Sequence, residues 1–459
     1  MLRRFLFIFL LLVCSHSFAF AEISKGNFTL AGYIKDETSL GLKTFNEVTK
    51  FKNILQLSGE YKFSDQWVFF TSAKYWYDAI YALNSKYDAA KYYMDHIQRT
   101  DWLRDCYLDY TNGSWFLRLG KQQVAWGQAD GNAILDRVNP VDLTEYWLPD
   151  AVDLRIPLWM ANINYSPKLN SNLQLLIIPD FEQSSAAPPG APFAFRSYKL
   201  FMAFKDYWEV AIPGGAINTN IYYPAKQLEN SKIGLQWQDR IGDWDYTLNY
   251  LYGYDYLART YLDSTAGRGA IQNYGRRFKL VQMAGGSLNH TFTEEGLLKG
   301  ITLRSDAAVY LNEPTYYGDT TSRGVNRWNN IFWLIGIDRN VATTWLASFQ
   351  FAQYIMEHDS PGVLNYKTLN TYTYGAQDAV ENIFSLKIST KFMHERLKPE
   401  ILWSWTDDNQ GRISPKATYE INDNLWFTLG IYYFYGKETE SNGEFRDVSQ
   451  FYTQIKYAF

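Results

Sequence analysis

The chain has 459 residues and a formal net charge of −4 at pH 7, a mild acidity that argues against a nucleic-acid partner. Aromatic residues make up 18% of it, with 36 Tyr and 16 Trp, yet mean hydropathy is −0.31. After the leader, no segment approaches the roughly 18 uninterrupted apolar residues that a spanning helix requires, which excludes a helical membrane protein.

Taken in chain order, Arg3 and Arg4 precede the apolar run Phe5 to Val13, and Ala19-Phe20-Ala21 is a small-x-small cleavage site. Residues 1–21 therefore read as a signal peptide, with 22–459 as the mature protein. Losing Arg3 and Arg4 takes the net charge to −6, and Cys106 becomes the single cysteine, so no intramolecular disulfide can form.

The mature chain alternates. Trp244, Tyr246, Leu248, Tyr250, Tyr252 and Tyr254 share one face, with Asp245, Thr247, Asn249 and Asp255 on the other. Ile301, Leu303, Ala307, Val309 and Leu311 oppose Thr302, Arg304 and Asp306, and Phe384, Leu386 and Ile388 oppose Ser385, Lys387 and Ser389. Leu425, Phe427, Leu429, Ile431, Tyr433 and Tyr435 form another apolar face. Phe451, Thr453, Ile455, Tyr457 and Phe459 close the chain. Apolar outside, polar inside and a terminal aromatic fit an all-β transmembrane antiparallel barrel. Its last strand must pair with the first, because an open edge in lipid leaves N–H and C=O groups without partners.

Tight Asn/Asp/Gly turns precede Trp67, Trp244, Trp345 and Trp426, which predicts one rim with an aromatic girdle. Longer connections, roughly 78–100, 126–155, 179–229, 257–276, 313–328 and 357–378, alternate with them and are expected at the opposite, extracellular rim. The count gives about eighteen strands, with sixteen as the alternative because 179–229 resists parsing. Within that segment Ser184 to Pro192 reads as flexible, and Tyr198 to Val210 as a short helix or a further strand.

Three elements carry more than pattern. Trp115-Phe116-Leu117-Arg118-Leu119-Gly120-Lys121-Gln122-Gln123 reads as a strand, Trp126-Gly127-Gln128-Ala129-Asp130-Gly131 as a turn out of it, and Asn139-Pro140-Val141-Asp142-Leu143 as a turn back. In these elements the chain resembles a Gram-negative outer-membrane barrel family known only as a domain of unknown function, and more distantly porin and alginate-export-type barrels. The resemblance implies an inward-folded loop and a part in moving material, including lipid or other apolar compounds, across or to the outer membrane. It supplies no ligand.

Segment 126–155 is thus expected to bend into the lumen as a constriction. Gly127 and Gly131 free the backbone, Asn139-Pro140 turns it back, and Asp130, Asp136, Arg137, Asp142, Glu145, Asp153 and Arg155 are too many charges for lipid. There they would meet wall charges such as Glu60, Lys74, Asp105, Asp109, Arg118, Arg304, Asp306, Lys387 and Lys391, with Gln122 beside them. The plainer alternative makes these charges tethers of loop to wall. The six-residue spacing of Asp130, Asp136 and Asp142 matches no calcium-loop motif, so no metal or cofactor is expected. His358-Asp359-Ser360 is similar to the His-x-Ser pair of outer-membrane phospholipases, but Pro361-Gly362 makes it a turn.

The sequence therefore predicts an outer-membrane channel or transporter for a small or apolar solute in a Gram-negative bacterium. A closed structural or receptor barrel is the second reading, and a lipid hydrolase the third. Expected partners are the bilayer with its lipopolysaccharide and the outer-membrane assembly machinery, with Phe459 as the assembly signal.

Overall fold

The computed structural model describes residues 23–43, 47–100, 102–128, 134–195, 216–266, 271–316, 325–357, 379–438 and 440–459. The signal-peptide expectation, Asp130, Gly131, the 198–210 element and His358 lie outside them.

Eighteen antiparallel strands form the wall: β1 (Phe28–Gly41), β2 (Val48–Lys62), β3 (Trp67–Asp78), β4 (Leu103–Asn112), β5 (Trp115–Gln122), β6 (Leu158–Tyr165), β7 (Asn172–Ile178), β8 (Lys232–Ile241), β9 (Trp244–Tyr254), β10 (Leu280–Thr291), β11 (Ile301–Tyr316), β12 (Val325–Ala342), β13 (Trp345–Ile355), β14 (Val380–Ser389), β15 (Leu397–Thr406), β16 (Gly411–Asn422), β17 (Leu425–Tyr435) and β18 (Gln450–Ala458). Each pairs with the next. β18 closes on β1 from Tyr33↔Ala458 to Gly41↔Gln450, and the Gly32 and Phe459 backbones exchange hydrogen bonds of 2.7 and 2.9 Å. No edge remains along this seam, which lets the wall sit in hydrocarbon with its backbone groups paired.

Ile23, the first described residue, and Phe459 lie at the rim of short turns. Lys62 to Trp67, Asn112 to Trp115, Ile241 to Trp244 and Asn422 to Leu425 are four of them. Trp67, Trp244 and Trp345 stand on the outer face as expected, Trp244 stacked on His290, Trp67 tilted against Tyr110 and Trp345 edge-on to Phe392. Trp426 does not. Its register places it with Thr428 and Tyr432 on the inner face, where it lines the lumen.

The long connections carry structure of their own. Residues 79–102 hold a helix, Asp88–Thr100, whose Ala90 and Met94 are buried. Ala216–Tyr222 pairs in parallel with Ile271–Arg277, which pairs antiparallel with Arg259–Ala266, so segments 179–229 and 257–276 meet in one small sheet. The expectation of a flexible Ser184 to Pro192 is corrected. Ser185–Ala186 pairs in parallel with Asp142–Leu143, and Ala187, Ala191, Phe193 and Ala194 are buried against Tyr146, Phe434 and Phe445. Small side chains allow that close packing, so Ala and Pro here mark a fitted segment.

Candidate functional site: the constricted lumen

The wall interior is not uniform. β1 to β3 present Lys35, Glu37, Lys50, Lys52 and Lys74 to the lumen, whereas β6 to β13 present Met160, Leu176, Ile178, Leu251, Met283, Phe332 and Leu334. The described residues of segment 123–157, namely 123–128 and 134–157, lie between these two sides and touch each with a different part.

Its first half is apolar. Val124, Trp126, Ile134, Leu135 and Val138 are buried against the apolar wall. Burying five such side chains on a face that would otherwise meet water stabilises the loop by about 1.5–3 kcal/mol for each large one. Polar clasps fix its course. Trp126 Nε1 donates to Gln174 Oε1 at 2.8 Å, and Tyr256 Oη donates to the Val138 carbonyl at 2.6 Å. Tyr310 Oη donates to the Ile134 carbonyl. Gln128 N–H donates to the Asp306 carboxylate at 2.9 and 3.0 Å, and Arg304 Nη1 donates to the Gln128 carbonyl at 2.8 Å. Gly127 has φ +92°, and a Cβ there would stand 2.7 Å from Asp306 Oδ2, so the bend requires glycine.

Asn139 ties the neck. Its Oδ1 accepts from Val124 N–H at 2.9 Å and its Nδ2 donates to the Ile156 carbonyl at 2.9 Å, joining the two ends of the segment. Val141 and Arg155 form an antiparallel bridge just beyond it, and Arg155 is held by Asp136 at 2.6 Å.

The second half is charged. Glu145 bridges Lys50 and Lys52, the latter at 2.6 Å, and Lys50 also meets Glu37 at 3.3 Å. Asp153 pairs with Lys74 at 2.5 Å and faces Lys35 at 3.8 Å. Arg104, the extra residue of a bulge opposite Ser72/Ala73, donates to the Val152 and Arg155 carbonyls at 3.0 and 2.7 Å. Burial works to raise the Glu145 carboxyl, but Lys50 and Lys52 outweigh it and hold it down at about 2. Asp153 is likewise lowered by Lys74 and Lys35 against its burial.

A carboxylate depressed in the folded state stabilises that state fully above its unfolded value and loses the effect as pH falls toward the folded one. Release of the charged half is therefore expected between about pH 4.5 and 2, with no change from pH 8 to 5. Conductance measured at pH 7, 5 and 3 checks this, and a segment already released at pH 5 would contradict it.

Between the loop edge 148–153 and the wall two cavities remain, of about 240 and 420 Å³. Lys35, Arg104, Asp150, Asp153, Thr418, Thr428 and Gln454 line both, Lys416 and Tyr432 the first, and Trp426 and Lys456 the second. Asp150 is exposed there at the start of the turn Ala151–Leu154, while Lys456 lies 4.5 Å from the Tyr33 ring centroid. The lumen is polar and narrow where it stays open.

The family described as protein of unknown function (DUF1302) matches residues 21–459. The chain belongs to it. No curated protein matches the chain. Similar solved structures include OccK3 (OpdO) of Pseudomonas aeruginosa, at TM-score 0.53 and 9% identity, with 94% of this chain and 96% of that chain covered. OpdK of the same species, solved with vanillate, has TM-score 0.50 and 8% identity over 94% and 98%. OccAB4 of Acinetobacter baumannii has TM-score 0.50 and 10% identity over 95% and 99%. These are porin-like outer-membrane barrels, and at such identities the likeness is one of fold.

Of the site residues expected in this DUF1302 chain, the loop brings Asp136, Asp142, Glu145, Arg304 and Asp306 into its clasps, Asp142 through Ser185 Oγ at 2.8 Å. Arg137 lies over the Tyr310 ring at 5.5 Å. Gln122 is buried and donates to the Met160 carbonyl at 3.2 Å, a wall contact at the neck and not a pore lining. Arg118 is held by Asp109 at 2.7 Å on the neighbouring strand, away from the loop. Glu60 and Lys391 pair with Lys62 and Glu395, and Lys387 with Glu400, so none of these three meets the segment. Pro140 is buried beside Asn139, and its carbonyl accepts from Ile156 N–H at 2.8 Å.

Lys35, Glu37, Lys50, Lys52 and Arg104 were missed, as was the whole apolar wall. A signal for the wall exists: Leu173 to Ile178 and Ile331 to Ile335 are near-continuous apolar runs, the mark of a strand covered on both faces. Arg104 offers none, since a bulge shifts it out of the alternation.

Proposed function

We propose that this protein is an outer-membrane channel that passes a small polar solute between the loop edge 148–153 and the charged wall of β1 to β3 and β16 to β18. The observation that carries this reading is the division of the lumen: its apolar side is filled by the chain's own loop, whereas its charged side keeps open volume. A solute crossing there meets carboxylates and ammonium groups, so water-soluble compounds fit better than lipids. Single-channel conductance of purified protein in planar bilayers tests it. Discrete steps are expected, and a protein that inserts without conducting favours a closed structural barrel.

The same reading assigns the outer surface to the bilayer and its lipopolysaccharide leaflet, and Phe459 to the assembly machinery. Phe459→Asp is expected to lower insertion several-fold, because the aromatic anchors the closing strand at the interface. Unchanged surface level and heat-modifiability would count against this. Leu429, on the outer face and 43% exposed, should cost about 2–4 kcal/mol when changed to Arg near the midplane. Thr428→Arg points into the lumen and should be tolerated, so equal losses in thermal unfolding would show the faces misassigned.

A further inference from the structure

We propose that the larger cavity, of about 420 Å³, binds a small zwitterion, with α-amino acids as the fitting class; this rests on the channel reading above and names its solute. The volume lies within the roughly 300–1,000 Å³ of small-molecule sites. Its charged lining is balanced, with Lys35, Arg104 and Lys456 against Asp105, Asp150 and Asp153. A solute carrying a single charge is drawn by half of this lining and opposed by the other half.

Most of these charges are already engaged. Lys35 meets Glu37 at 2.8 Å and Asp153 at 3.8 Å, and Asp153 also holds Lys74. Asp105 accepts from Ser72 Oγ at 2.8 Å, and Arg104 donates to the Val152 and Arg155 carbonyls. Two groups differ. Lys456, on the inner face of β18, lies over the Tyr33 ring and, among the described residues, has no carboxylate within ion-pair distance. Asp150, on the loop edge, has neither an ion pair nor a side-chain hydrogen bond among the described residues.

One of the two stands on the wall and the other on the loop, and they line the same cavity without pairing, so a gap separates them. A solute with both charges fills it, its ammonium on Asp150 and its carboxylate on Lys456. Such contacts are charge-assisted hydrogen bonds, roughly twice as strong as neutral ones. Register fixes which end is which. Lys456 is the direct cross-strand partner of Lys35, so two ammonium side chains share that end and favour a carboxylate there. On its other side Lys456 is partnered by Trp426, half-buried at the cavity, which offers an apolar ring to the side chain of the solute.

The test is titration calorimetry of the purified full chain in detergent at pH 7 with L-phenylalanine, 3-phenylpropanoate and 2-phenylethylamine, which carry both charges, the carboxylate alone and the ammonium alone. L-phenylalanine should bind at least about tenfold more tightly than either analogue, since each lacks one charge-assisted contact. Asp150→Asn should lose about that factor for L-phenylalanine and leave 3-phenylpropanoate unchanged. Lys456→Gln should weaken L-phenylalanine alike and spare 2-phenylethylamine, with heat-modifiability showing that both variants fold. Either analogue bound as tightly as L-phenylalanine, no binding of any of the three, or variants without effect would overturn the zwitterion site, and a protein that still conducts then leaves the channel reading intact. The expected affinities in a protein that does not conduct would uphold the site and end the channel reading.

Discussion

Replacing residues 142–153 by a short glycine linker is expected to leave a folded barrel whose conductance rises several-fold, as widening the narrowest section of a pore requires. The cut is clean because Val141 and Arg155 already face each other across an antiparallel bridge, so the ends need not move. It also spares the apolar half, which keeps Ile134, Leu135 and Val138 on their wall. Lys50, Lys52 and Lys74 lose Glu145 and Asp153, but they then face open water, where a lone ammonium group carries little penalty. Heat-modifiability reports the fold and single-channel recording the width. If the charges were only tethers, the deletion would lower the thermal midpoint without any gain in conductance.

Leu135→Ala should cost about 2–5 kcal/mol, the range for deleting a fully buried leucine and leaving a cavity. Leu135 has no exposed surface, and its side chain packs beside Gly285 on β10 and over Gly127 of the bend. The loss falls on the anchor of the loop, so the barrel should stay closed while the segment fluctuates. Recordings should then show rapid transitions between the parent level and a wider one, together with a lower thermal midpoint. A variant with parent-like noise and midpoint would show that the loop is held by its charged half alone.

The barrel was legible because lipid imposes a strict rule on the outer face. Leu425 to Tyr435 must keep every second residue apolar to hold one face in hydrocarbon, and that period survives reading in one dimension. The constriction was legible in part, since Gly127 and Asn139-Pro140 carry local backbone chemistry that needs no knowledge of neighbours. Its partners were not. Glu145 meets Lys50 and Lys52 across more than ninety residues, and nothing local to any of the three records it. Trp426 follows a tight turn as a girdle residue would, but its place on the inner face is fixed by the strand's register, one residue from the outer face.

The central claim is that solute passes along the loop edge at Asp150. In a Cys106→Ser background, single-channel current through Asp150→Cys should fall to a small fraction once a bulky charged thiol reagent is added, and recover on reduction. The same reagent should leave Leu176→Cys, on the wall that the loop covers, at its starting current. A current through Asp150→Cys that is indifferent to modification would contradict the account, because the open route would then lie elsewhere in the barrel.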